Sequence, residues 1–148
     1  MADHILRPAE QGDFPAIRSL IHTVQINPFG LDWRHFIVAI TPSGLLLGCG
    51  QVKTHSDGSR ELASIAVQES ARRKGIARAI IEELLRREAR RPLYLMCRAR
   101  LETLYAKFGF RAIGGEKMSP YFRKIKRAEQ ILNAKGEPED RLLVMCLE

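Results

Sequence analysis

The chain has 148 residues, a length that suits one domain around one core, and its 45% apolar and 28% charged residues are ordinary for a globular protein. No apolar run approaches the ~18 residues of a membrane span. The net charge of +7 is compatible with nucleic acid or a smaller polyanion such as a nucleotide cofactor; there is no nucleic-acid motif of recognised spacing and no aromatic stacking series, and nucleic acid is not expected as the main partner.

The start, Met-Ala-Asp-His-Ile-Leu-Arg, runs almost directly into an apolar pattern without a basic segment and apolar stretch. No signal peptide is read there, and a cytoplasmic location is expected. Cys49, Cys97 and Cys146 are widely spaced and lack Cys-x-x-Cys spacing. They read as small buried hydrophobes in a reducing compartment, not as a zinc site or a disulfide framework.

In chain order, residues 4–7 read as a short strand. Asp13 is positioned to cap a helix with Pro15 in its first turn and Phe14, Ile17, Leu20, Ile21 and Val24 at helical spacing. Asn27-Pro28-Phe29-Gly30 ends that segment. Residues 36–40 and 45–53 read as strands joined by Thr41-Pro42-Ser43-Gly44. Ser56-Asp57-Gly58-Ser59 is the next turn, and 60–67 a fourth strand. Ile76, Ile80, Ile81, Leu84 and Leu85 mark the buried stripe of a second helix, which Pro92 stops. A buried strand over 93–97, a short helix over 101–108 with Gly109 as its left-handed cap, a strand over 110–113 and a last strand over 142–147 complete the pattern. Tight turns make the early strands antiparallel, and the strand–helix–strand unit at 60–97 makes one parallel pair. The expected fold is a mixed, mainly antiparallel α/β sheet flanked by helices, in a single domain over 1–148.

Chemistry concentrates where the fourth strand runs into the second helix. Ten Lys or Arg fall from Arg72 to Arg100, against three Glu. The first free N–H groups of that helix, with the positive end of its dipole, make a seat for an anion such as phosphate. Gly75 and Ala77 allow close backbone approach, and Arg72, Arg73 and Lys74 add charge. The bland alternative is a solvated basic loop before an ordinary helix. Neither Gly-x-x-x-x-Gly-Lys-Ser/Thr nor Gly-x-Gly-x-x-Gly is present, so the ATP and dinucleotide readings lose support.

The run Arg72-Arg73-Lys74-Gly75-Ile76-Ala77 resembles the signature Arg/Gln-x-x-Gly-x-Gly/Ala of the GNAT superfamily of N-acetyltransferases. Leu104-Tyr105-Ala106-Lys107-Phe108-Gly109-Phe110 resembles that family's Tyr-x-Lys-x-Gly-Phe segment. The resemblance covers roughly residues 4–115 and the last strand. It implies acetyl-coenzyme A as co-substrate, with no metal. Arg72, Arg73, Lys74, Gly75, Ile76 and Ala77 would hold the pyrophosphate, and the strand edge at Ile65, Ala66 and Val67 would pair with the pantetheine arm. Many relatives have Asn about seven residues before the Tyr, where this chain has Arg98. Arg98 therefore serves the cofactor or the acceptor, or makes a surface salt bridge. The parallel pair is expected to splay at the cofactor site, as in that fold.

The family expectation is direct transfer to an amine in a ternary complex. An N–H near Val67 would bond the thioester carbonyl oxygen as charge builds there. Tyr105 is the proton donor to the leaving sulfur, on the premise that its phenol and a thiol have similar pKa values; otherwise it is a core aromatic. Glu61 is the base, directly or through a water. It stands six residues before Val67 on the same strand, hence on the same side at period two, and the histone-acetylating branch has a catalytic Glu at the matching position. Its other reading is a charged strand start. His35, His55 and a covalent Cys97 are weaker candidates.

Ser119-Pro120 starts a further helix, with Phe122, Ile125 and Ile131 as its apolar positions and Arg123, Lys124, Lys126 and Arg127 on its other sides. It lines the acceptor pocket, makes a homodimer contact or covers the core. The leading expectation is acetyl transfer to a primary amine of a small molecule or amino acid, with no membrane or nucleic-acid partner. A protein Lys or N-terminal acetyltransferase and a non-catalytic acyl-coenzyme A-binding regulatory module are the alternatives.

Overall fold

The computed structural model describes residues 4–132 and 136–148. It is a mixed α/β protein whose seven strands follow the sheet order β1-β2-β3-β4-β5-β7-β6. The expected fold class is borne out. The chain divides into two compact units, one of Met1–Lys53 with Leu62–Ala89 and one of Thr54–Glu61 with Arg90–Glu148.

In the first unit, β1 (Ile5–Pro8), β2 (Phe36–Ile40) and β3 (Leu46–Thr54) form an antiparallel meander. Ile5 pairs with Ile40, and Val38 pairs on its other side with Cys49. Helix α1 (Phe14–Thr23) buries Ile17, Leu20 and Ile21, the i, i+3, i+4 positions, with Phe36, Val38, Cys49 and Ala66. Each such side chain contributes about 2 kcal/mol of burial.

Asp13 precedes α1 as expected, but its carboxylate does not cap the helix. It accepts two bonds from the Arg7 guanidinium, at 2.7 and 3.0 Å, and one from the Glu10 N–H at 2.7 Å. The Arg7 bond is the main reason its carboxyl lies below the ordinary range. A charged fork in reach outcompetes a helix N–H for the same oxygens.

Strand β4 (Arg60–Val67) and helix α2 (Ile76–Arg87) stand where the sequence placed them. The stripe Ile76, Ile80, Ile81 and Leu84 is buried. Helix α2 packs closely on β3: a Cβ on Gly50 would stand 2.8 Å from Ile80 Cγ2 and 2.6 Å from Ile65 Cδ1 on β4. A larger residue there would require these side chains to shift.

In the second unit, β5 (Leu93–Arg98) and β7 (Leu142–Leu147) pair antiparallel from Leu93↔Leu147 to Arg98↔Leu142. The two-residue β6 (Arg111–Ala112) adds to β7. Helix α3 (Glu102–Ala106) is shorter than expected because a 3-10 turn at Ala99–Leu101 takes Leu101 and a turn takes Lys107 and Phe108. Gly109, at φ 97°, supplies the left-handed turn after it. Helix α4 (Pro120–Leu132) begins at Pro120, but the expected stripe is not buried. Phe122 alone is fully enclosed, among Tyr94, Met118, Val144 and Cys146. Ile125 is half-buried and Ile131 is 76% exposed. No helix of the described residues is long and apolar enough to cross a membrane.

Candidate active site

The corner from β4 to α2 has an unusual backbone. After a 3-10 turn at Glu69–Ala71, Arg73 takes φ 65° and Gly75 takes φ 77°, ψ 13°. Two left-handed residues with one residue between them turn the backbone sharply just before the helix. Gly75 is the N-cap of α2 and offers no side-chain cap. The first intrahelical bond runs from the Ala79 N–H to the Gly75 carbonyl at 3.0 Å. The helix rule thus leaves the N–H groups of Ile76, Ala77 and Arg78 without helical acceptors. A Cβ on Gly75 would meet nothing within 4 Å, so the space above this turn is open. Arg72, Arg73 and Lys74 are exposed around it, while Ile76 is buried and Ala77 half-buried beneath. Arg72 Nε donates to the Val67 carbonyl at 3.4 Å, tying the basic loop to the strand end. An uncapped helix start, an open approach and three flanking cations fit a pyrophosphate.

On β4, Ile65 and Val67 are half-buried and Ala66 is buried. Ser64 adopts φ 61°, a left-handed conformation that a serine in mid-strand rarely takes. Gln51 Nε2 donates to its hydroxyl at 2.8 Å and Cys49 Sγ to its carbonyl at 3.6 Å, and these bonds hold the residue there. A left-handed residue in mid-strand resets the alternation of side chains. The period-two inference that carries Glu61 and Val67 to one side therefore lapses. Glu61 and Leu62, adjacent in sequence, are both buried.

Glu61 does not stand alone. Its Oε1 lies 2.7 Å from His55 Nε2, and both side chains are nearly enclosed, at 6% and 12% exposure. Tyr121 stacks on the imidazole with 3.6 Å between ring centroids, and Phe122 meets it edge-on at 5.6 Å. From the sequence, His55 is only a weaker candidate for the base. The structure makes it the partner of Glu61. A spacing of six residues across a turn has no sequence signature, so only the folded hairpin reveals the pair.

Tyr105 sits half-buried on α3, edge-on to Phe110 at 6.5 Å. Burial, with a smaller contribution from Cys97, pushes its phenol up to about 12. The expected match between this phenol and a thiol is not found, because the desolvated ring resists ionisation. Its phenol therefore stays protonated near neutral pH. Cys97 is itself pushed up to about 11 by burial and stays a thiol, which removes the support for covalent catalysis. All three cysteines are free and buried, as expected. His35 is exposed.

Arg98 ends β5, where its Nη1 donates to the Asp140 carbonyl at 3.0 Å and lies 3.9 Å from Glu129. The salt-bridge reading of this residue thus has a structural basis. On α4, Arg123 bonds the Gly115 and Met118 carbonyls at 3.1 and 2.8 Å, and Lys126 bonds the Leu142 carbonyl.

The strand order and the strand–helix corner together define a mixed α/β protein with an uncapped helix start beside three exposed cations. The family model for the acetyltransferase (GNAT) domain matches residues 32–112, more than half of the chain, and the chain belongs to that family of acetyl-coenzyme A-dependent acyltransferases. Among solved structures, it is similar to N-acetylglutamate synthase from Neisseria gonorrhoeae complexed with coenzyme A and N-acetyl-glutamate. The TM-score is 0.76 at 19% identity, over 99% of this chain and 35% of that one. It is also similar to Rv2747 from Mycobacterium tuberculosis in complex with CoA and NLQ (TM-score 0.71, 24% identity, 97% of this chain and 98% of that one). A third is the ribosomal-protein-S18-alanine N-acetyltransferase from Escherichia coli (TM-score 0.65, 18% identity, 97% and 92%). This chain thus spans about a third of the first of these proteins and nearly the whole of the other two. No curated protein matches the sequence at a significant level.

Proposed function

We propose that the chain, as one N-acetyltransferase domain, moves acetyl from acetyl-coenzyme A directly onto the primary amine of a small molecule, an amino acid in the first instance. The observation that carries the donor half is the uncapped α2 start at Gly75, flanked by Arg72, Arg73 and Lys74. The amino-acid acceptor is supported by two similar structures whose bound molecules are named as N-acetyl-glutamate and NLQ beside coenzyme A.

In this reading the Ile65–Val67 edge takes the pantetheine arm, and 72–77 the pyrophosphate. The neutral amine attacks the thioester carbon, the C–S bond breaks, and the acceptor nitrogen loses a proton to Glu61 directly or through a water. A backbone N–H near Val67 stabilises the carbonyl oxygen as it gains charge. Tyr105 donates a hydrogen bond to the departing sulfur. With its phenol at about 12, full proton transfer to a thiolate is uphill, so stabilising the anion is its main effect. A thioester is already activated, and positioning supplies much of the rate.

A protein acceptor is the second reading, favoured by the similarity to the ribosomal-protein-S18-alanine N-acetyltransferase. The experiment is release of free coenzyme A thiol across amino acids, arylamines, polyamines and peptides. Turnover on amino acids with none on peptides is expected; the reverse order installs the second reading. Coenzyme A binding without turnover on any member makes the chain a regulatory module.

A further inference from the structure

Outside the residues given to acetyl transfer, the second unit contains a cavity of about 270 Å³ between α4 and the 113–118 segment. This volume is near the lower edge of the ~300–1,000 Å³ range of ligand pockets and suits a molecule of amino-acid size. Ile113 and Met118 give it an apolar face, and Arg123, Lys126, Arg127 and Gln130 a polar one. We propose that this pocket binds a small organic dicarboxylate.

Among the described residues, three cations line the pocket and no carboxylate residue does. Two of them are fixed in place. Arg123 uses its Nε and Nη2 on the Gly115 and Met118 carbonyls, and a guanidinium has five N–H groups, so three remain. Lys126 uses one of its three N–H groups on the Leu142 carbonyl. Arg127 makes no hydrogen bond or ion pair among the described residues. The pocket therefore has anchored donors and an unspent guanidinium, the group best shaped to hold a carboxylate through two parallel bonds.

The surrounding charge leaves the excess in place. Glu129 lies beside Lys126, but its Oε1 accepts from the Leu142 N–H at 3.4 Å and faces Arg98 at 3.9 Å. Glu116 reaches the neighbourhood of Gly114 with one oxygen. Against these, Arg141 adds a fourth positive charge near Lys126. Burial foremost, and then Arg141, hold that ammonium below its ordinary range, while Glu129 acts in the opposite direction. The apolar face separates an organic acid from inorganic phosphate, since methylenes gain from Ile113 and Met118 and a hydrated oxyanion does not.

The test is calorimetric titration of the whole chain with glutarate at 0.15 M ionic strength, where non-specific attraction is screened. Saturable 1:1 binding is expected, weakened tenfold or more in Arg127→Gln and unchanged in Lys124→Gln, whose parent residue is an exposed cation of α4 outside the pocket. Arg127 anchors nothing, so its variant should keep the wild-type Tm. Pentane-1,5-diamine, of the same length and opposite charge, should not bind. No glutarate binding, equal affinity for phosphate, or equal losses in Arg127→Gln and Lys124→Gln would each overturn the site. None of these outcomes depends on acetyl transfer.

Discussion

Helices α2 and α4 begin in opposite ways. The first turn of α2 has glycine at its N-cap, no side-chain acceptor and three exposed cations just before it. At the start of α4, Asp57 from the 56–59 turn places Oδ2 2.9 Å from the Tyr121 N–H, so a carboxylate from 64 residues upstream closes the helix. Both helices have the same partial positive charge at this end. In α4 it is satisfied within the chain and holds a hairpin turn to the helix. In α2 no side chain caps it, as the proposed pyrophosphate seat requires. Substitutions at α2 should therefore remove binding and spare stability, while those around the start of α4 should do the reverse.

The largest expected effect comes from giving α2 the carboxylate that α4 has. Gly75→Asp puts a negative charge where pyrophosphate is proposed to sit and can cap the free N–H groups itself. Open space meets the new side chain, and Asp tolerates the left-handed backbone better than most residues, so the fold should survive with a cost of about 1 kcal/mol. Coenzyme A affinity should fall by about 10²-fold or more, read by calorimetry. Unchanged affinity in a folded variant would make the corner an ordinary basic loop.

Tyr105→Phe tests whether function extends beyond that corner. It should lower turnover by about 10²-fold with coenzyme A affinity nearly unchanged, provided chemistry limits the rate. Because burial holds the phenol at about 12, no alkaline fall of the rate below about pH 10 should belong to Tyr105. The linkage has a definite sign. The folded pKa lies above the ~10 of an unfolded tyrosine, so the stability this residue contributes is intact below pH 10 and is lost as pH rises toward 12. Ultraviolet titration of tyrosinate in wild type and Tyr105→Phe should assign the last group to ionise to this residue. An ionisation near 10 would return the ring to an exposed setting.

The His55–Glu61 pair belongs to the α4 side of the comparison by contact, because Tyr121 covers the imidazole. His55→Ala leaves a nearly buried carboxylate without its hydrogen bond and should cost about 2 kcal/mol of stability. If Glu61 is also the base, Glu61→Gln should lose turnover by more than its loss of stability explains. A double-mutant cycle in denaturant should give a coupling of about 1 kcal/mol or more, and additivity would deny that the contact matters.

Strand β4 and helix α2 were legible because each combines a strong apolar pattern with flanking turn residues, and the donor corner followed from their junction. What escaped the sequence was of two kinds. Ser64 and Arg73 are left-handed without being glycine, and at Ser64 the bond from Gln51 holds the conformation. The His55–Glu61 bond, the cap on α4 and the spending of Asp13 on Arg7 are choices between acceptors or donors that depend on which group comes within reach. The apolar stripe assigned to α4 failed for a related reason. Periodicity says which residues share a face, but the length of the surface beneath decides how many are covered, and here cover reaches Phe122 and only part of Ile125.

The smallest predicted effect, and the most discriminating, is at Asp57. Its carboxylate accepts from the Ser59 hydroxyl and N–H and from the Tyr121 N–H, and these bonds hold its pKa well below the usual carboxylate range, the Ser59 hydroxyl foremost. Asp57→Ala removes a helix cap and should cost about 1 kcal/mol. Asp57→Asn keeps an oxygen that can cap and should cost only a few tenths. A group with a depressed folded pKa contributes its stability above the unfolded value near 4 and loses it as pH falls below that. The gap in Tm between wild type and Asp57→Ala should accordingly be full at pH 7 and shrink progressively below pH 4, while the gap between Asn and Ala should change little. Coenzyme A affinity should be unchanged in both variants, because the helix start they disturb is the one the chain satisfies for itself. If Asp57→Ala instead weakened coenzyme A as strongly as Gly75→Asp while keeping its Tm, the division between a helix start left for a ligand and one closed by the chain would be wrong.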